Sequence, residues 1–92
     1  MPGNPTVSRI TWTLAAWEDY QHWQGQDRKT LKRINHLIQD CLREPFHGIG
    51  KPELLRENLS GLWSRRIDDA NRLVYRVDGQ DLVIIACRYH YD

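Results

Sequence analysis

The last five residues, Arg88-Tyr89-His90-Tyr91-Asp92, put an imidazole, a guanidinium and two phenols at the end of an apolar run. His90 is a proton-transfer group near neutral pH, Arg88 is a permanent cation, and tyrosines offer faces on which a base can stack. Upstream, Arg72 and Arg76 alternate with Leu73, Tyr75 and Val77, and Arg65 and Arg66 must take opposite faces of any strand that carries them. If helices cover one face of a sheet, the other can collect Arg72, one member of the Arg65/Arg66 pair, Arg88 and His90. Glu53 then closes that surface from the edge. RNA cleavage needs a base for the 2′-OH proton and an acid for the leaving 5′-oxygen. It also needs cations for the charge that builds on the pentacoordinate phosphate, a task that suits arginine's fork. Composition alone does not separate this set from a solvated sheet face with an inert terminal histidine.

The elements that must position these groups follow from period and punctuation. Residues 1–8, rich in Pro, Gly and Asn, read as a loose tail ahead of a single domain over residues 9–92. Arg9–Trp12 reads as a strand, with Thr13 as N-cap of a helix over Leu14–Gln24 that turns Ala16, Trp17, Tyr20 and Trp23 to one side. Gly25 is expected to end that helix and Asp27 to cap the next. There Leu31, Ile34, Leu37, Ile38, Cys41 and Leu42 recur on one face until Pro45 stops it. The period then changes. A glycine loop at Phe46–Pro52 leads to an extended piece at Glu53–Arg56 and a turn at Asn58–Gly61. Strands follow at Leu62–Asp68, Arg72–Val77 and Leu82–Tyr91, with Asp78-Gly79 as a hairpin signal. This order predicts an α+β fold, an N-terminal strand and helical hairpin packed on a mainly antiparallel twisted sheet.

Thirteen Lys+Arg against twelve Asp+Glu leave a net charge of +1, which argues against a sequence-blind DNA coater while permitting a local basic patch. Cys41 and Cys87 read as buried free thiols. His22, His36 and His47 lack metal-ligand spacing, so no metal or other cofactor is expected. With no apolar run of spanning length and no signal core, the chain reads as cytoplasmic. The basic helix residues Lys29, Lys32 and Arg33 are a solvated face or, on a sharper reading, a face that steers docking onto a polyanion.

Five segments decide between these readings: Gly50-Lys51-Pro52-Glu53, Asn58-Leu59-Ser60-Gly61, Trp63-Ser64-Arg65-Arg66-Ile67, Arg72-Leu73-Val74-Tyr75 and Ala86-Cys87-Arg88-Tyr89-His90-Tyr91. In that order they resemble the YoeB family of bacterial toxins, within the RelE/ParE superfamily. Trp17-Glu18-Asp19-Tyr20, Trp23-Gln24, Ile34-Asn35 and Pro45-Phe46 agree, so the likeness covers roughly residues 9–91. The resemblance implies a ribosome-dependent mRNA endonuclease of a type II toxin–antitoxin pair, cutting A-site mRNA without a metal. It implies Glu53 as general base, His90 as general acid and Arg72 as the phosphate clamp, with Arg66 and Tyr91 binding substrate. Arg88, from the same strand end, and Arg56 are expected to join them as substrate-binding cations. It further implies a YefM-type antitoxin that blocks the site, a homodimer, and DNA contact only through the antitoxin. Three departures stand out. Arg56 replaces a usual lysine, Leu54 replaces a usual proline beside Glu53, and Asp92 follows the usual terminal tyrosine, which is expected to weaken RNA binding modestly. Two other outcomes stay open: a catalytically silent antitoxin-binding relative, and a gyrase-directed superfamily member.

Overall fold

Thr13 is the first residue whose side chain commits the backbone to a structure. In an extended conformation, it accepts the Ala16 N–H and starts α1 (Leu14–Gln26) immediately after β1 (Arg9–Trp12). A computed structural model describes residues 7–56 and 61–89 of the chain. The further elements are α2 (Arg28–Arg43), β2 (Glu53–Leu54), β3 (Trp63–Arg66), β4 (Arg72–Asp78) and β5 (Asp81–Ala86). They form an α+β fold with one five-stranded sheet in the order β1-β5-β4-β3-β2, antiparallel throughout except for the parallel β1–β5 pair.

Gly25 does not end the first helix, which continues to Gln26. Asp27 is the boundary, with φ −156°, and its carboxylate accepts the Lys29 and Thr30 N–H groups that open α2. A glycine inside a helix costs about 1 kcal/mol relative to alanine, less than a strong cap supplies together with helix packing. The α2 stripe packs as its spacing requires, with Ile34, Leu37, Ile38 and Cys41 buried against Leu73, Tyr75, Leu82 and Ile84 of the sheet in one core cluster. Trp17 is 43% exposed, its ring resting against Trp12 and Tyr20 at the rim of the core. Val7 and Ser8 also depart from expectation, since Val7 is buried in the core and the Ser8 N–H donates to the Gln80 carbonyl.

Arg65, one of two arginines considered for the open face, lies on the helix side and is fully buried. All five of its N–H donors have partners: the Tyr75 hydroxyl, Asp40 Oδ2 at 2.7 Å, and the carbonyls of Glu44, His47 and Ile49. The Tyr75 hydroxyl in turn donates to the Pro45 carbonyl at 2.6 Å. One cation thus fastens the end of α2 and the glycine loop to the sheet. The loop passes so close that a Cβ on Gly50 (φ 81°) would stand 2.7 Å from a Leu37 methyl. Hence a glycine is required where the chain turns toward Glu53.

Hydrogen bonding from Arg65, reinforced by Arg43 and the Ile49 N–H against the cost of burial, holds the Asp40 carboxyl down to about 2. An unfolded aspartate titrates near ~3.9, so this stabilisation is complete above pH ~4 and lost as pH falls through 2. It amounts to on the order of 2 kcal/mol. Urea unfolding at pH 7 and pH 2.5 should show wild type losing more stability than Asp40→Asn, and equal losses would disprove the linkage.

Candidate active site

Strand register assembles the candidate groups on the face away from the helices. Glu53 of β2 pairs with Ser64 of β3, Ser64 with Val74 of β4, Val74 with Ala86 of β5, and Arg66 with Arg72. Because side chains alternate, Arg65, Leu73 and Tyr75 face the helices while Ser64, Arg66, Arg72 and Val74 share the other face. Ser64 and Val74 are fully buried and form its floor. Arg72 Nη1 donates to Glu53 Oε1 at 3.0 Å and to Ser64 Oγ at 3.2 Å. The Glu53 side chain is 60% exposed and that of Arg72 19%, so a mostly buried cation presents a carboxylate that solvent and ligands can reach.

The final strand is shorter than its apolar run suggests, ending at Ala86 instead of continuing to Tyr91. Two helix side chains claim the next residue. The Cys87 N–H donates to Asp19 Oδ2, and its carbonyl accepts from Trp23 Nε1 at 2.8 Å. These bonds draw Cys87 into the core and away from β4. A register shift precedes this, Tyr75 pairing with Ile84 but Val74 with Ala86, which leaves Ile85 as an extra residue. Such a bulge reverses the facing of the strand residue that follows it, Ala86. Without it, Ala86 would share the core face of Leu82 and Ile84.

Beyond the strand, Arg88 lays its guanidinium over the Tyr89 ring, 4.5 Å from the centroid. Tyr89 takes a left-handed conformation, φ 68°. It is clasped at both backbone groups: its N–H donates to Asn71 Oδ1 at 2.6 Å and its carbonyl accepts the Arg72 N–H at 3.0 Å. Asn71 is held in turn by Asp68, which accepts both its backbone and side-chain N–H groups. The residue before His90 is therefore fixed beside the start of β4. His90 and Tyr91 themselves lie outside the described residues, as do Asn58, Leu59 and Ser60 of the expected turn.

Of the sequence-derived candidates, Glu53, Arg66 and Arg72 come together. Arg66 is half-exposed, 3.7 Å from Asp69, and its carbonyl accepts from Arg33. Arg56 stands exposed two residues past β2. Ser64 shares parity with Arg66 within its strand, but only the β3–β4 register sets it beside Arg72. Asn71 had only its place before a strand to mark it. A groove of about 580 Å³ between Gln24, Arg28, Leu31, Lys32 and Asn35 contains no carboxylate or imidazole and belongs to the helical hairpin. Burial pushes the thiols of Cys41 and Cys87 up to about 11 and about 12, leaving both as inert core groups.

The model of the YoeB-like toxin of bacterial type II toxin–antitoxin systems matches residues 12–91. The chain belongs to the YoeB toxin family. It is thus the toxin component of a type II toxin–antitoxin system. Toxin YoeB of Streptomyces coelicolor is 60% identical over 83 residues, which are 90% of this chain and 99% of that protein. The YoeB dimer from Staphylococcus aureus superposes with a TM-score of 0.85 at 45% identity, covering 94% of this chain and 99% of that one. The heterotetrameric YoeB-YefM toxin–antitoxin complex from the same species gives 0.84 at 45% identity, covering 92% and 98%. In this YoeB-family toxin the shared sheet carries the Glu53–Arg72 pair.

Proposed function

We propose that this YoeB-family toxin is a ribosome-dependent endoribonuclease that cuts mRNA in the A site and so stops translation. The observation that carries the reading is the Glu53–Arg72 pair, a reachable carboxylate 3.0 Å from a guanidinium anchored on the sheet. Phosphate competes well for arginine, because two parallel N–H···O bonds form at once. A scissile phosphate seated on Arg72 displaces Glu53 and leaves its carboxylate beside the ribose. Glu53 then takes the 2′-OH proton, the 2′-oxygen attacks phosphorus, and the bond from phosphorus to the 5′-oxygen breaks. His90, one residue past the clasped Tyr89, protonates that leaving oxygen. The products are a 2′,3′-cyclic phosphate and a 5′-hydroxyl. Arg72 and Arg66 stabilise the charge on the phosphoryl oxygens, Arg56 and Arg88 attract the flanking backbone, and Tyr91 shapes the substrate end.

The relatives solved as a dimer and with YefM support a homodimer and a YefM-type antitoxin, which in this reading blocks the site. DNA contact belongs to the antitoxin, and the proposed setting is the cytoplasm. Primer extension on mRNA threaded through ribosomes tests the reading. Wild type should leave defined A-site breaks that vanish without ribosomes and in Glu53→Ala and His90→Ala. A folded wild-type chain that leaves no breaks overturns it.

A further inference from the structure

Ser64 is a polar residue with no exposed surface, placed between the two groups just described. It is the register partner of Glu53 and shares its strand face with Arg72. Its oxygen accepts one bond from the same Arg72 nitrogen, Nη1, that binds Glu53. An Nη nitrogen carries two N–H groups, enough to serve both partners. The two partners differ in kind. Glu53 is exposed, charged and required elsewhere once substrate arrives, whereas Ser64 is buried, neutral and fixed within a strand. Neighbouring Val74 is equally buried and offers no polar atom. An alanine at position 64 would fill the floor nearly as well but accept nothing.

We infer that Ser64 is a positioning residue that holds Arg72 on target while Glu53 leaves the ion pair to act as base. The inference rests on the reading of Glu53 and Arg72 as base and clamp. When the phosphate replaces Glu53, the serine oxygen is the contact among the described partners of Nη1 that persists. A guanidinium kept in place meets the developing charge without reorganising, and that preorganisation acts on the chemical step more than on binding.

The test is cleavage kinetics on programmed ribosomes with wild type, Ser64→Ala, Ser64→Cys and Ser64→Thr, each with its melting temperature. Ser64→Ala should lower kcat about tenfold with KM changed less than about twofold, the pattern of an interaction realised in the transition state. Ser64→Cys keeps the shape but substitutes a weak acceptor, so it should lose a similar factor. Ser64→Thr restores a hydroxyl and should recover most of the rate. A wild-type kcat in a folded Ala or Cys variant overturns the inference, as does a loss that follows melting temperature across all three. If wild type itself leaves no ribosome-dependent breaks, the endoribonuclease reading fails instead.

Discussion

Arg72→Ala is expected to lower the single-turnover rate of A-site cleavage by about a thousandfold while leaving the fold intact. Loss of one well-placed donor to a developing oxyanion removes about a hundred- to a thousandfold in rate, and Arg72 offers a fork where a single donor offers one bond. Its deletion also strands Glu53, but that side chain is 60% exposed and water takes over its solvation. The ion pair therefore adds little to stability, and the melting temperature should stay within a few degrees. Arg72→Lys keeps the charge and loses the fork, so it should fall between the two, nearer to alanine. Quench-flow measurement on stalled ribosomes separates these rates. A rate for Arg72→Ala within tenfold of wild type would remove Arg72 from the chemistry.

Arg65→Ala should act in the opposite sense, on the fold first and on activity only through it. The guanidinium is fully buried and bonds Asp40, the Tyr75 hydroxyl and three backbone carbonyls. Removing one side of a buried charge pair costs about 3–5 kcal/mol. Three loop carbonyls lose their donor as well, each a further cost unless water enters. For a domain this small, about 4 kcal/mol lowers the melting temperature by at least about 15 °C. The double variant Arg65→Met with Asp40→Asn removes both charges and fills the volume, so it should regain part of the loss. Thermal unfolding of the three proteins decides it. A single variant as stable as wild type would mean that the loop is held by something else.

The neighbours Arg65 and Arg66 show where reading of the chain stops. Alternation requires them to face opposite ways, yet either face is open to a lone arginine. Asp40, 25 residues away, settles the matter by giving one of them a carboxylate at 2.7 Å. The last strand makes the same point. The run from Leu82 to Cys87 is apolar on both parities, and nothing in it marks Ile85 as an extra residue or Ala86 as the last rung. Those follow from Asp19 and Trp23 on α1, which hold both backbone groups of Cys87.

Local chemistry was sufficient for the elements: the Thr13 and Asp27 caps, the α2 stripe, the Pro45 stop, the Asp78-Gly79 hairpin and the α+β order. Each depends on residues within a few positions of one another, where propensity and period act directly. The ordered motifs from Gly50 to Tyr91 likewise suffice to mark the family. Only the tertiary structure decided which arginine is scaffold, where β5 ends, that Ser64 lies beneath Arg72, and that Asn71 clasps Tyr89. These outcomes depend on pairs far apart in sequence, whose meeting is fixed by strand register and by which buried polar groups satisfy one another.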